Sequence, residues 1–244
     1  MASEQIVLFD LPSKAPVGPW SYNPWKARML LNYKGLDYRT EWTEYPDIKP
    51  LLESHIPPNE KGTDYTIPAI LLPDGTYVMD SRKILTAINE RHATPHLTVD
   101  SPYLAKVEAL KPQIMGKVRS AYQVAVYRRL LSDASRPHWR RTREVIGAMT
   151  AEQLARDDLE PEWRWAEAEP LLKEVTALLK ENADGPFFLG RELSYVDFVW
   201  ASFLLFLQTI GDDVLEAALG YTGGAKVHWD LLEGVKPWTE RRNY

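Results

Sequence analysis

The hydrophobic pattern of this chain changes character once, near residue 93, and that change limits what it can fold into. Before it, short apolar runs alternate with helical segments; after it, almost every periodic stretch repeats at helical spacing. The run from Ile6 to Phe9 reads as a buried strand. Asn23 is placed to cap a helix whose first position is Pro24, with Trp25, Met29, Leu30 and Tyr33 at helical spacing and Gly35 as its stop. The stretch from Tyr38 to Trp42 alternates like a strand, residues 47–54 suit a short helix, and residues 55–65 (HIPPNEKGTDY) form a breaker-rich loop. The runs from Ile67 to Leu72 and from Tyr77 to Met79 flank Pro73-Asp74-Gly75 and predict a hairpin. Ser81 then caps a helix to about Arg91, with Ile84, Leu85 and Ile88 on one side. The order β-α-β-α-β-β-α predicts a small mixed sheet with helices on both faces. Beyond the linker-like residues 93–102, helices are expected over 102–131, 138–148, 151–157, 163–182, 194–210 and 212–220, an all-α second domain.

What the chain lacks narrows its chemistry. It has 244 residues and no cysteine, so thiolate ligands, disulfides and a cysteine nucleophile are excluded, and any thiol chemistry requires a thiol carried by a ligand. The net charge of −5 carries no footprint for a nucleic-acid backbone; Arg140, Arg141 and Arg143 read as a solvated helix face. The opening MASEQIVLFD has an early acid and no long apolar run, which predicts no secretory signal. The stretch from Phe198 to Leu207 is too short to span a bilayer and contains Ser202. A soluble, cytoplasmic protein without membrane contact is expected.

Two local motifs point to a binding site. Pro68 stands at the mouth of a strand, where a residue without an N–H is tolerated. A trans strand-start proline is one reading; a cis Ile67–Pro68 bond, which turns the Ile67 backbone outward to pair with an extended peptide, is the other. Thirteen residues on, Asp80-Ser81 opens a helix. Ser81 as the cap leaves backbone N–H groups at the positive end of the helix dipole to attract a carboxylate, and Asp80 can hold an ammonium. Together they describe a seat for an α-amino-acid head group.

The order of elements, the pairing of Ile67-Pro68 with Asp80-Ser81 and the all-α second half resemble the cytosolic glutathione transferases, which join a thioredoxin-like α/β domain to an all-α domain. The resemblance implies a thioredoxin-like domain over 1–92, a linker over 93–101 and an all-α domain over 102–244 carrying the wall of a hydrophobic-substrate pocket. Residues 20–48, WSYNPWKARMLLNYKGLDYRTEWTEYPDI, are similar to the fungal FuA class, described as serine-type and omega-like, and to β-etherase-type relatives. Ser194-Tyr195-Val196-Asp197 fits a capping box whose role is in folding.

The resemblance implies glutathione as co-substrate, with Ile67, Pro68, Asp80 and Ser81 holding it and Ser21 stabilising its thiolate. Asn23 and Tyr22 are rival donors to the sulfur. A free thiol titrates near pH ~8.5, and a helix N-terminus with a donated hydrogen bond lowers that value. His55 and Lys61, ahead of Lys49, are the candidates for the glycine carboxylate. Met115, Arg119, Tyr122, Gln123 and Tyr127 recur at intervals of three and four residues, and with Trp20 they suit a wall for apolar aromatic or phenolic ligands; core packing is the competing reading for the two tyrosines. No metal is implied, and a homodimer is. The competing function is a ligandin, which carries aromatic compounds with little turnover.

Overall fold

The structure, a computed structural model, describes residues 5–145 and 163–241. The expected helix over 151–157 lies outside the described residues, as does the end of the one expected over 138–148.

The first strand, β1 (Ile6–Asp10), is wholly buried because all five residues sit between neighbours in a four-stranded sheet of order β2-β1-β3-β4. It pairs in parallel with β2 (Tyr38–Trp42), bringing Leu8 opposite Thr40, and antiparallel with β3 (Ala69–Leu71), bringing Leu8 opposite Ile70. The hairpin closes β3 onto β4 (Tyr77–Met79), and Gly75, at φ 87°, supplies the positive φ of its turn. β3 is shorter than the expected run of Ile67 to Leu72, since the peptide before a proline and the proline itself give the ladder no donor at that end. Helix α1 (Tyr22–Tyr33) joins β1 to β2; a short helix α2 (Ile48–Leu52) follows, and α3 (Ser81–Arg91) follows β4 and packs on α1.

α1 starts earlier than its sequence suggests. The Trp25 N–H bonds the Ser21 carbonyl at 3.2 Å, which makes Ser21 the N-cap and places Asn23 and Pro24 inside the first turn. Pro24 is tolerated there because the first-turn N–H groups have no intrahelical acceptor. Further along, Arg28 and Asp10, both fully buried, form an ion pair at 2.7 Å that ties α1 to the end of β1. Burial pushes the Asp10 carboxyl up, against the opposing pull of Arg28.

The described residues divide into two compact units, one of residues 5–96 with 131–138 and 237–241, the other of 97–130, 139–145 and 163–236. Two segments of the C-terminal half thus fold with the sheet unit. The first is held by Ser132 and Ser135, whose hydroxyls both donate to the Glu44 carboxylate, and by the Tyr45 N–H, which donates to the Ser135 hydroxyl at 3.0 Å. The second is held by Arg241, which donates to the Tyr38 carbonyl at 2.6 Å and lies 4.2 Å over its ring.

In the other unit, the single helix expected over 102–131 is divided into α4 (Pro102–Lys117), α5 (Arg119–Ala125) and a wider helical turn, Val126–Leu130. Gly116 and β-branched Val118 weaken the ladder at the break, where Val118 has φ −96° and ψ 13°. The helix Tyr195–Ile210 is buried along nearly its whole length, as an apolar sequence on every face requires. The Asp197 carboxylate accepts the Ser194 N–H and hydroxyl, each at 2.7 Å, and the Phe188 N–H at 2.9 Å. Burial raises its pKa to about 6. A further helix, Ala225–Val235, has no counterpart in the expected elements; Val227, Leu231 and Val235 carried its period. Among the described residues no helix is long and apolar enough to cross a membrane.

Candidate active site

The two motifs singled out in the sequence meet through the backbone. β3 and β4 run side by side, so the residues just outside the ladder continue it: Asp80 donates its N–H to the Pro68 carbonyl at 3.2 Å. The Ile67–Pro68 bond is cis. The cap of α3 is Asp80 and not Ser81, because the Asp80 carboxylate accepts the N–H groups of Arg82 at 2.8 Å and Lys83 at 3.4 Å. Ser81 is then the first helical residue, and its side chain is left for the cavity. Asp80 holds φ 80° and ψ 129°, a backbone region that side chains other than glycine rarely occupy. A cost of ~1–3 kcal/mol attaches to such a residue, and residues of this kind concentrate at binding sites.

A cavity of about 610 Å³ opens over this junction. Ile67 and Pro68 form its wall at the mouth of β3, with Thr66 beside them; Asp80, Ser81 and Lys83 line it from the head of α3. Asn23 and Lys26 enter from the first turns of α1. The loop before β3 contributes Asn59, Glu60, Lys61 and Thr63. That loop is closed by its own bonds: the Asn59 N–H donates to the Asp64 carbonyl at 2.8 Å, and the Asn59 amide to the Thr63 carbonyl at 2.9 Å. Gly62, with φ 81°, provides the positive-φ residue within it.

Six of the residues expected at the site therefore converge, namely Asn23, Lys61, Ile67, Pro68, Asp80 and Ser81. Lys26 and Lys83 were missed, although each stands three residues beyond a recognised one and so on the same helix face. Asn59, Glu60 and Thr63 carried no signal beyond loop composition.

The remaining expected residues lie elsewhere. Ser21 caps α1 two residues before Asn23, is 7% exposed and does not itself line the cavity; its hydroxyl has no partner among the described residues. Trp20 is buried and donates its indole N–H to the Pro12 carbonyl at 3.0 Å, which holds the loop between β1 and α1. Tyr22 is half-buried at the start of α1. His55 stacks on Tyr77 with ring centres 4.2 Å apart, over the edge strand and outside the cavity lining. Met115 on α4, Arg119, Tyr122 and Gln123 on α5 and Tyr127 on the following turn lie outside this cavity as well. Tyr122 packs edge-on against Phe206 at 5.4 Å, and the buried Gln123 side-chain carbonyl has no hydrogen-bond partner among the described residues.

Three lysines, Lys26, Lys61 and Lys83, and two carboxylates, Glu60 and Asp80, line the cavity, with the N-terminus of α3 adding its positive end. Such a lining suits an extended ligand with more than one anionic group and a single ammonium. Among the described residues, no cluster of three or more His, Asp or Glu side chains could hold a metal ion.

Comparison with known proteins places the chain in a family. Residues 20–91 match the family model described as glutathione S-transferase, N-terminal domain, and residues 105–220 match the one described as glutathione S-transferase, C-terminal domain. A glutathione S-transferase-like protein, ustS of Aspergillus flavus, is 28% identical over 214 residues, covering 80% of this chain and 78% of its own. Among solved structures, glutathione transferase GSTFuA2 of Phanerochaete chrysosporium is 26% identical with a TM-score of 0.78, covering 97% of this chain and 98% of its own. GSTFuA3 of the same fungus has a TM-score of 0.80 at 24% identity, covering 96% and 97%. A glutathione S-transferase of Ceriporiopsis subvermispora, solved in complex with glutathione, has a TM-score of 0.78 at 24% identity, covering 97% and 98%.

Proposed function

The chain belongs to the glutathione S-transferase family, and we propose that it is a serine-type member, akin to the FuA class, that activates glutathione for attack on apolar aromatic electrophiles. The observation that carries this reading is the bond from the Asp80 N–H to the Pro68 carbonyl, which sets the free edge at Ile67 and the head of α3 on one cavity wall. The tripeptide lies extended beside Ile67-Pro68. Its γ-glutamyl carboxylate meets Ser81 and the first turn of α3, and its ammonium meets Asp80. Lys61 is the cation for the glycine carboxylate.

Sulfur chemistry then belongs to the head of α1. The thiol loses its proton to solvent, the Ser21 hydroxyl donates to the resulting thiolate, and the thiolate attacks an electrophilic carbon or ester carbonyl held beside it, the displaced group leaving with the electron pair of the broken bond. A peroxide oxygen is attacked in the same way, and its O–O bond breaks to give the glutathione sulfenic acid and an alcohol protonated from solvent. Catalysis comes from a lowered thiol pKa and from holding both reactants together. Trp20, Tyr22, Met115, Arg119, Tyr122, Gln123 and Tyr127 are the candidates for recognising aromatic or phenolic substrates. A cytoplasmic homodimer completes the proposal. Titrating wild-type protein, Asp80→Ala and Ser81→Ala with glutathione in a calorimeter tests it: wild type binds, and each variant binds at least about tenfold more weakly, as loss of a charge-assisted bond entails.

A second reading, a ligandin that binds aromatic compounds with little turnover, is favoured by the low exposure of Ser21 and its place outside the cavity lining. Turnover of a generic electrophile by wild type and by Ser21→Ala separates the two readings. Negligible turnover in both, with phenolic ligands still bound, selects the ligandin.

A further inference from the structure

The ladder between β3 and β4 stops just short of the cavity wall. Ala69 stands opposite Met79, Asp80 donates its N–H to the Pro68 carbonyl, and at Ser81 the chain turns away into α3. Ile67 and Thr66 therefore lie where the neighbouring strand has gone. Among the described residues, the Ile67 N–H and carbonyl make no hydrogen bond. A side chain holds the main chain there instead: Thr66 donates its backbone N–H to the thioether sulfur of Met79, at 3.2 Å. Met79 is the last residue of β4, 2% exposed and next to Asp80. Its unbranched side chain, with three rotatable bonds, can reach from its own strand past the end of the ladder. Burial accounts for an apolar side chain at this position. A sulfur set against an amide of the cavity wall is a further, directed contact.

We propose that Met79 is a positioning residue for glutathione: its sulfur takes the place of the missing strand partner at Thr66 and so presents the Ile67 backbone to the tripeptide in a fixed conformation. The inference rests on the glutathione reading above, in which the extended tripeptide lies beside Ile67-Pro68. Two neighbouring residues, Met79 and Asp80, hold Thr66 and Pro68, and the residue between those two is the one that pairs with the ligand. Holding both flanks of Ile67 before binding lowers the ordering cost that binding would otherwise carry. The bond acts on the segment beside the tripeptide, so its effect belongs to glutathione affinity and not to the electrophile or to the step at sulfur. A thioether is a weak acceptor, and the contribution is that of one modest hydrogen bond.

Two variants test the assignment. Met79→Leu keeps the volume and removes the acceptor, and Met79→Gln, unbranched and of similar length, offers a carbonyl in place of the sulfur. Amide hydrogen exchange, followed by NMR in the ligand-free protein, reads the bond itself. Calorimetry with glutathione and steady-state kinetics with a generic electrophile read its consequence. In Met79→Leu the Thr66 amide should exchange about fivefold faster, and Kd and KM for glutathione should rise about fivefold, the scale of one net hydrogen bond. The kcat and the KM for the electrophile should stay as in wild type, and Met79→Gln should return the Thr66 exchange and the glutathione affinity toward wild type. A folded Met79→Leu with unchanged Thr66 exchange and unchanged affinity overturns the proposal. Loss of kcat together with weaker binding of both substrates overturns it too and makes Met79 a packing residue, as does a folded Met79→Gln no better than Met79→Leu. If wild type binds no glutathione while Thr66 exchange still depends on residue 79, the glutathione reading itself fails and the sulfur bond is structural alone.

Discussion

Asp80 donates its backbone N–H to the carbonyl of Pro68 at 3.2 Å, and through that bond the mouth of one strand and the head of the next helix become one wall of the cavity. The same residue caps α3 with its side chain while holding a positive φ of 80°. Its backbone, its cap and its charge therefore act at one place.

Substitution separates these roles. Asp80→Gly removes the carboxylate but relieves the positive φ, so the loss of the cap, ~1 kcal/mol, is roughly offset and the melting temperature stays within a few degrees of wild type. Asp80→Ala loses the cap and keeps the strain, and should melt clearly lower. Both lose the negative charge and should bind glutathione at least about tenfold more weakly by calorimetry. Equal melting temperatures for the two variants would show that the positive φ carries no cost here.

Ser21→Ala should lower conversion of a generic electrophile at least about tenfold, equivalent to ~1.4 kcal/mol of lost thiolate stabilisation, while binding of a phenolic ligand measured by fluorescence persists. A variant with wild-type turnover removes Ser21 from the mechanism.

The ion pair between Arg28 and Asp10 has no exposure on either side chain. Asp10→Ala leaves a buried guanidinium without its counter-charge and should cost ~3–5 kcal/mol in denaturant unfolding. Replacing both residues together, Asp10→Leu with Arg28→Met, should recover most of that loss. A single variant as stable as wild type would mean that the pair does not hold α1 to β1.

His228 is fully buried in the all-α unit, with its Nδ1 accepting the Trp200 indole N–H at 2.9 Å. An indole nitrogen only donates, so Nε2 carries the ring proton and donates to the Thr176 hydroxyl at 2.9 Å. Burial, assisted by the Lys180 charge, lowers its pKa to about 4. Its unfolded value is ~6.5, so its contribution is complete above pH ~6.5 and is lost as the pH falls toward 4, on the order of 3 kcal/mol in all. Asp197 works with the opposite sign: its pKa, raised to about 6, means that acidification from pH ~6 toward ~4 returns stability to the fold. Comparing urea unfolding of wild type and His228→Gln at pH ~7 and ~4.5 isolates the histidine. Wild type should lose more stability than the variant between the two values, and equal losses would contradict the assignment.

Local patterns carried much of this protein. The run from Ile6 to Phe9, the turn at Asp74-Gly75 and the box from Ser194 to Asp197 are each specified by neighbours within a few residues, and all appear as expected. Helix starts were legible only to within a residue or two. Asn23 and Ser81 are both good capping types, but the cap belongs to the residue whose carbonyl or carboxylate the first-turn N–H groups reach, and that is Ser21 in α1 and Asp80 in α3. The convergence of Lys26, Asn59 and Lys83 on Pro68 was not legible, and neither was the attachment of Ser135 and Arg241 to the sheet unit.

Taken alone, the amino-acid order determined the elements, their sequence along the chain, the absence of any thiol of its own and the two short motifs that meet at the cavity. Each of these depends on periodicity, turn chemistry or residue type over a short span. Tertiary structure decided which cations surround the cavity, which acid caps α3 and which distant segments fold with the sheet. Those outcomes depend on side chains far apart in the chain arriving within a few ångströms of one another, and no spacing along a sequence encodes that arrival.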